Sequence, residues 1–136
     1  MVTISVEAAT ADFERFAECM DLDLNEKTMT DEDRVDFGAL KNQFIRAVTN
    51  GHLTINDDGE PTIHFKKPPS DDETSVTFYE PDGAAFLALD KGKKNADNAK
   101  QYMMMGDICK CSHSLFAKLK NRDLKTCKMV LALFLA

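Results

Sequence analysis

The densest chemistry in the sequence is Cys109-Lys110-Cys111-Ser112-His113, which places two thiols and an imidazole within five residues. Thiolate and imidazole together suit zinc, but a structural zinc site takes four ligands, usually with about two to four residues between paired cysteines. Here a single residue separates the pair, and Cys19 and Cys127 stand at no recognised spacing. The pattern predicts no metal; it reads as a turn at a helix end with one thiol buried and one exposed. A calcium loop fails on similar grounds. Taking Gly59 as the central glycine of an EF-hand puts Thr54 at the first ligand position and Phe65 where a bidentate Glu is required. Asn56-Asp57-Asp58-Gly59 is therefore expected to be a hairpin turn.

Nucleophilic catalysis needs a nucleophile, a base and an orienting group brought together from separate directions. Ser112, His113 and Ser114 are chain neighbours that face different ways, with no glycine elbow around them. His52 and His64 flank the expected hairpin and read as partly exposed strand residues. With no phosphate-binding glycine loop in addition, the sequence predicts neither an enzyme nor a cofactor.

Charge is more informative. The formal net charge is −6, yet residues 1–90 hold 20 acidic and 7 basic side chains, a balance of −13, whereas residues 91–136 hold 3 and 10, a balance of +7. Such polarity pairs halves within a fold, orders neighbouring subunits head to tail, or meets a charged partner. Nucleic acid is the disfavoured partner, because only Tyr102 and Phe116 provide aromatics near the basic residues of 91–136, no recognition motif surrounds them, and the acidic portion repels a polyanion. The reduced-thiol pattern and the absence of an export signal at Met1–Glu7 predict a cytoplasmic protein. The longest wholly apolar run, Met129–Ala136, is eight residues, well below the roughly 20 that span a bilayer as a helix, so no membrane association is expected.

The elements that must carry these residues follow from periodicity. A chain of 136 residues predicts a single domain over 1–136, with an acidic and less ordered N-terminal segment at 1–30. Val2, Ile4 and Val6 alternate like a short strand, and Phe13, Phe16 and Met20 then take helical spacing over residues 10–20. Thr30 followed by Asp33 predicts a capping box that opens a helix. Val35, Leu40, Phe44, Ile45 and Val48 form its expected apolar face, and Asn50-Gly51 its left-handed end. Residues 53–65 alternate around Asp58-Gly59 as a β-hairpin, and Val76-Thr77-Phe78 supplies a third strand near 75–79. Asp82, Asn95 and Asn121 are candidate caps of three further helices. The predicted fold is α+β and mainly helical, with a small antiparallel sheet of about three strands and a helical C-terminal third.

Two apolar stretches mark expected contact surfaces. Tyr102, Met103 and Met104, continuing into Met105, cannot all face one core from a single helix, and flexible thioethers suit adaptable binding surfaces. Val130, Leu131, Phe134 and Leu135 belong to a terminal run that is apolar on every side, which requires either deep burial or a partner. Lys118, Lys120 and Lys125 are the basic residues beside them.

The order of these pieces resembles that of tail assembly chaperones of long-tailed bacteriophages, from about residue 35 to 135. The carriers are a helix ending in Asn50-Gly51, the run Leu53-Thr54-Ile55-Asn56-Asp57-Asp58-Gly59-Glu60-Pro61, then Phe78-Tyr79-Glu80-Pro81-Asp82-Gly83, then Leu89-Asp90. Phe116-Ala117-Lys118-Leu119-Lys120-Asn121-Arg122-Asp123-Leu124 completes the series before an apolar end. The acidic first 35 residues lie outside the likeness. The resemblance implies a non-catalytic protein of the host cytoplasm that coats the tape-measure protein, keeps it soluble until tail-tube subunits replace it, and is absent from the mature virion. It also implies reversible association of copies into a homo-oligomer, and many relatives exist in short and frameshift-extended forms. The alternative reading is a nucleic-acid-binding or regulatory phage protein that uses the basic C-terminal third.

Overall fold

The computed structural model describes residues 4–22, 26–83 and 97–135. Ser5 opens α1 (Val6–Cys19) by accepting the Ala8 N–H on its hydroxyl at 3.1 Å. Ala9, Phe13 and Phe16 recur on one face of α1 and are buried. The N-terminal stretch expected to hold less order thus contributes a core helix. Val6, read as part of a strand, begins this helix and points outward, 64% exposed.

A short 3-10 turn at Glu26–Thr28 leads to α2 (Asp31–Thr49), whose cap is Thr30, accepting the Asp33 N–H at 3.1 Å. Asp31, Glu32 and Asp33 in its first turn complement the positive end of the helix dipole. The buried stripe of α2 is Phe37, Phe44, Ala47 and Val48; Val35, assigned to that face by sequence, is 72% exposed. Two residues are about 200° of helical rotation, so once Phe37 faces the core Val35 must face away. The helix ends with Gly51 at φ 77°, where the Gly51 N–H reaches Val48 O (3.1 Å) and the His52 N–H reaches Ala47 O (3.0 Å). This is a Schellman end, and the positive φ is why glycine stands there.

The strands β1 (Leu53–Ile55), β2 (Pro61–His64) and β3 (Ser75–Thr77) form one antiparallel sheet in the order β1-β2-β3, with Leu53 opposite Ile63 and Ile63 opposite Val76. Pro61 stands in the central strand only because it is that strand's first residue, where its lack of an N–H costs no ladder bond. In the turn, the Asn56 side-chain oxygen accepts the N–H groups of Asp58 and Glu60 at 3.0 and 2.9 Å, and Gly59 takes φ 79°. Leu53, Ile63, Val76 and the flanking Phe65 and Phe78 line the inner face of the sheet, while Thr54 and His64 point out and bond to each other at 2.9 Å.

Three further helices, α3 (Asp97–Cys109), α4 (Ser114–Lys118) and α5 (Asn121–Phe134), close the fold. The helix expected after Asp82, the cap Asn95 and the Leu89-Asp90 phrase fall largely on residues 84–96, outside the described residues. Asn121 is the first residue of α5 rather than its cap, a position held by Lys120. Phe16 lies 5.2 Å from Phe44 and 5.4 Å from Phe134, which in turn stacks 6.4 Å from Phe78. This row of rings ties α1, α2, the exit of the sheet and α5 into one core. The architecture is the α+β, mainly helical arrangement with a three-stranded antiparallel sheet that periodicity predicts.

Candidate functional site

Strand β2 has a backbone problem at its C-terminal end. The His64 N–H bonds to His52 O at 2.8 Å on one side and the Phe65 N–H to Thr74 O at 2.9 Å on the other, after which the neighbouring strands run out. The next two amides, of Lys66 and Lys67, would be left unpaired beside the core. Asp123 takes both: Oδ1 accepts from Lys66 N at 3.0 Å and Oδ2 from Lys67 N at 3.1 Å. Asp123 sits in the first turn of α5, where the helix dipole favours a carboxylate, and is 1% exposed.

His52, at the end of the α2 to β1 connection, lies against the same carboxylate. Its Nε2 is 3.2 Å from Asp123 Oδ1, off the direction of a good hydrogen bond, so that the nitrogen is buried without an aligned partner. Burial lowers the pKa of His52 from its ordinary value; Asp123 pulls it back up, and Lys66 and His64 push it down again. The net direction is downward, so the ring is neutral at pH 7. The expectation of a partly exposed His52 is thus corrected: it is 7% exposed, because the Schellman end turns it inward, while His64 is the exposed member of the pair.

Above His52 opens a cleft of about 470 Å³ between the last turn of α2, the end of β2 and the first turns of α5. Arg46, Lys66, Arg122 and Lys125 surround it, Ala47 and Met129 supply apolar wall, and Gln43, Asn50 and Thr126 complete the lining. No carboxylate lines the cleft, and none of its four cations is in an ion pair among the described residues. In a chain of net charge −6, that is a local concentration of positive potential.

The expected contact residues divide sharply. Met104, Val130, Leu131 and Phe134 are core residues, 0 to 7% exposed, which is the deep-burial side of the alternative that the apolar terminal run left open. The space between α3, α5 and the sheet accommodates what a lone helix would have had to present to a partner. Tyr102 and Met103 are half-buried, and Lys128 lies over the Tyr102 ring at 6.0 Å. Leu135 remains 45% exposed at the end of α5. Lys118 is exposed and lies 3.7 Å from Glu73; Lys120 is exposed at the cap of α5; Lys125 alone of the three enters the cleft.

Cys109 is buried and Cys111 exposed, as the turn reading predicts, with Lys110 between them at φ 56°. Burial raises the Cys109 thiol, whereas a hydrogen bond from Cys109 lowers that of Cys111 against opposing burial and Glu73. No group of three or more His, Cys, Asp or Glu suited to a metal occurs among the described residues, and no described helix is long and apolar enough to cross a membrane. No protein-family model, no curated protein and no solved structure matches the chain.

Sequence reasoning missed Asp123, His52, Arg46, Lys66 and Arg122 as a group. The available signal was Asp123 itself, the single acid among residues 108–136 and three residues into a helix.

Proposed function

We propose that the protein is a tail assembly chaperone of a long-tailed bacteriophage, a non-catalytic binder that keeps the tape-measure protein soluble in the host cytoplasm and is left out of the mature virion. The observation that carries this reading is where the shared phrases fall. Asn50-Gly51 is the Schellman end of α2, Asn56 to Pro61 is the hairpin turn, and the run from Phe116 to Leu124 joins α4 to α5 and contains Asp123. These are the joints that determine the fold, so the likeness lies in architecture-setting residues rather than in solvated filler.

The charge distribution supports assembly of copies. Residues 31–36 of α2 are all exposed and present Asp31, Glu32, Asp33 and Asp36 around Val35, while the basic cleft lies at the other end of the same helix. A surface acidic at one end and basic at the other suits heterologous contacts, which repeat along a filament where an isologous pair would close. Such a coat fits a long helical client, from which tail-tube protein would displace it.

The test is to look for a very long helical reading frame beside this one and to co-express its product with the protein. The expected result is that this client stays soluble and co-purifies with the chaperone, and that finished particles lack the chaperone. A client that stays insoluble and alone, or a chaperone retained in mature particles, overturns the reading.

A further inference from the structure

The cleft over His52 has the make-up of an anion site. Its cations come from three separate elements: Arg46 from the last turn of α2, Lys66 from the end of β2, and Arg122 and Lys125 from the first turns of α5. Asp123 fixes one of them directly, because it holds the backbone N–H of Lys66, whose side chain lines the opening. Arg122 and Asp123 are chain neighbours on α5, so the residue that anchors the strand also sets the guanidinium beside the cleft. Asp123 places one negative charge behind the site, its oxygens held by the Lys66 and Lys67 amides and faced by His52, which still leaves four cations against one buried acid.

His52, only 7% exposed, also lines the cleft, with its Nε2 turned toward Asp123 Oδ1 at 3.2 Å without an aligned hydrogen bond, which makes the ring a reporter at the base of the site. The four cations at the rim stand in no ion pair among the described residues, so their charge has no partner within the fold. Two guanidiniums offer paired planar donors, and two ammonium groups offer point charges approaching from other sides. A single carboxylate presents two oxygens in one plane and carries one charge. A phosphoryl group presents oxygens in several directions, and two linked ones carry enough charge to meet the whole set. We propose that this cleft binds a small polyphosphate-bearing ligand, with Arg46, Lys66, Arg122 and Lys125 as its binding residues and His52 at its floor.

The direct measurement is calorimetric titration of the full chain with pyrophosphate at low salt, alongside NMR of the His52 ring. Saturable one-to-one binding is expected, with the His52 signals shifting along the same isotherm. Arg46→Gln combined with Arg122→Gln should weaken binding by about tenfold or more, and Lys125→Gln by about threefold, since charge-assisted bonds are removed. Lys118→Gln, altering a lysine that lies beside Glu73 and does not line the cleft, should leave the affinity unchanged. The substituted side chains are exposed, and unchanged urea midpoints will show that the variants are folded. The proposal is overturned by any of four results. These are no saturation up to about 10 mM, equal affinity in wild type and the double variant, citrate bound as tightly as pyrophosphate, or a short single-stranded oligonucleotide bound far more tightly than pyrophosphate. The last would assign the cleft to nucleic acid instead.

Discussion

His52 Nε2 and Asp123 Oδ1 lie 3.2 Å apart with side chains only 5% and 1% exposed, yet the pair is a neutral ring beside a carboxylate rather than a full ion pair. Desolvation of the ring outweighs the attraction of the acid. The unfolded chain therefore takes up a proton near pH 6.5, while the folded chain resists until lower pH. Stability should be level above about pH 6.5, fall as pH drops below it, and level off once the folded ring is protonated. Urea midpoints between about pH 5 and 7.5 test this, and His52→Gln should flatten the slope. A wild-type midpoint that rises on acidification through this range would contradict the assignment.

Asp123→Ala should be among the most damaging single changes. It strips two part-buried N–H groups of their acceptors, and since an unsatisfied buried donor costs about 1–3 kcal/mol and water can partly serve these two, a loss of roughly 2 kcal/mol is expected by urea denaturation. Asp123→Asn, which retains one acceptor, should lose about half as much.

Gly59 packs beneath α1. A Cβ there would collide with the Cys19 side chain and stand 3.3 Å from Arg15 O, at φ 79°. Gly59→Ala should cost more than the roughly 1–2 kcal/mol of a left-handed alanine alone. In a double-mutant cycle, Cys19→Gly should recover the steric part and leave the backbone part, giving a coupling above about 0.5 kcal/mol.

Phe134 and Leu135 are neighbours with opposite fates. Phe134→Ala removes a ring packed against Phe16 and Phe78 and should cost about 3–5 kcal/mol. Leu135→Ala, at an exposed site, should stay within about 0.5 kcal/mol in thermal or urea unfolding.

Reversing Lys118, Lys120 and Lys125 to Glu should disturb assembly and spare the fold. Exposed ion pairs contribute only about 0–1 kcal/mol each and are screened over roughly 8 Å at physiological salt, so charge selects orientation while apolar contact supplies affinity. Sedimentation at low and high salt should show salt-sensitive oligomers for the wild type and smaller species for the variant. A salt-independent monomer in both at high concentration would remove head-to-tail assembly.

What the sequence made legible was local. Thr30 with Asp33, Asn50-Gly51 and the Asp58-Gly59 turn are decided by backbone geometry within a few residues, and each is observed at its predicted place. Val35 and Phe37 show the limit, because both suit a helix and only the choice of partner face separates them. Met104 and Phe134 show the same limit for burial: hydrophobicity says that a side chain leaves water, not whether its own fold or another chain receives it. The bond from Asp123 to Lys66 spans 57 residues and answers a need created by strand ends, which no nearby spacing announces. The cleft is harder still, since Arg46 and Lys66 come from the acidic portion of the chain and join Arg122 and Lys125 only after folding.

The clasp between Asp123 and the end of β2 also sets an order of events at the ribosome. Synthesis runs from the N-terminus, so α1, α2 and the hairpin emerge while the acid that will receive the Lys66 and Lys67 amides has not yet been translated. Until α5 arrives, those amides are served by water, and Phe16 and Phe78 lack the ring of Phe134. One helix thus brings both the acceptor for the end of β2 and the ring that joins Phe16 to Phe78.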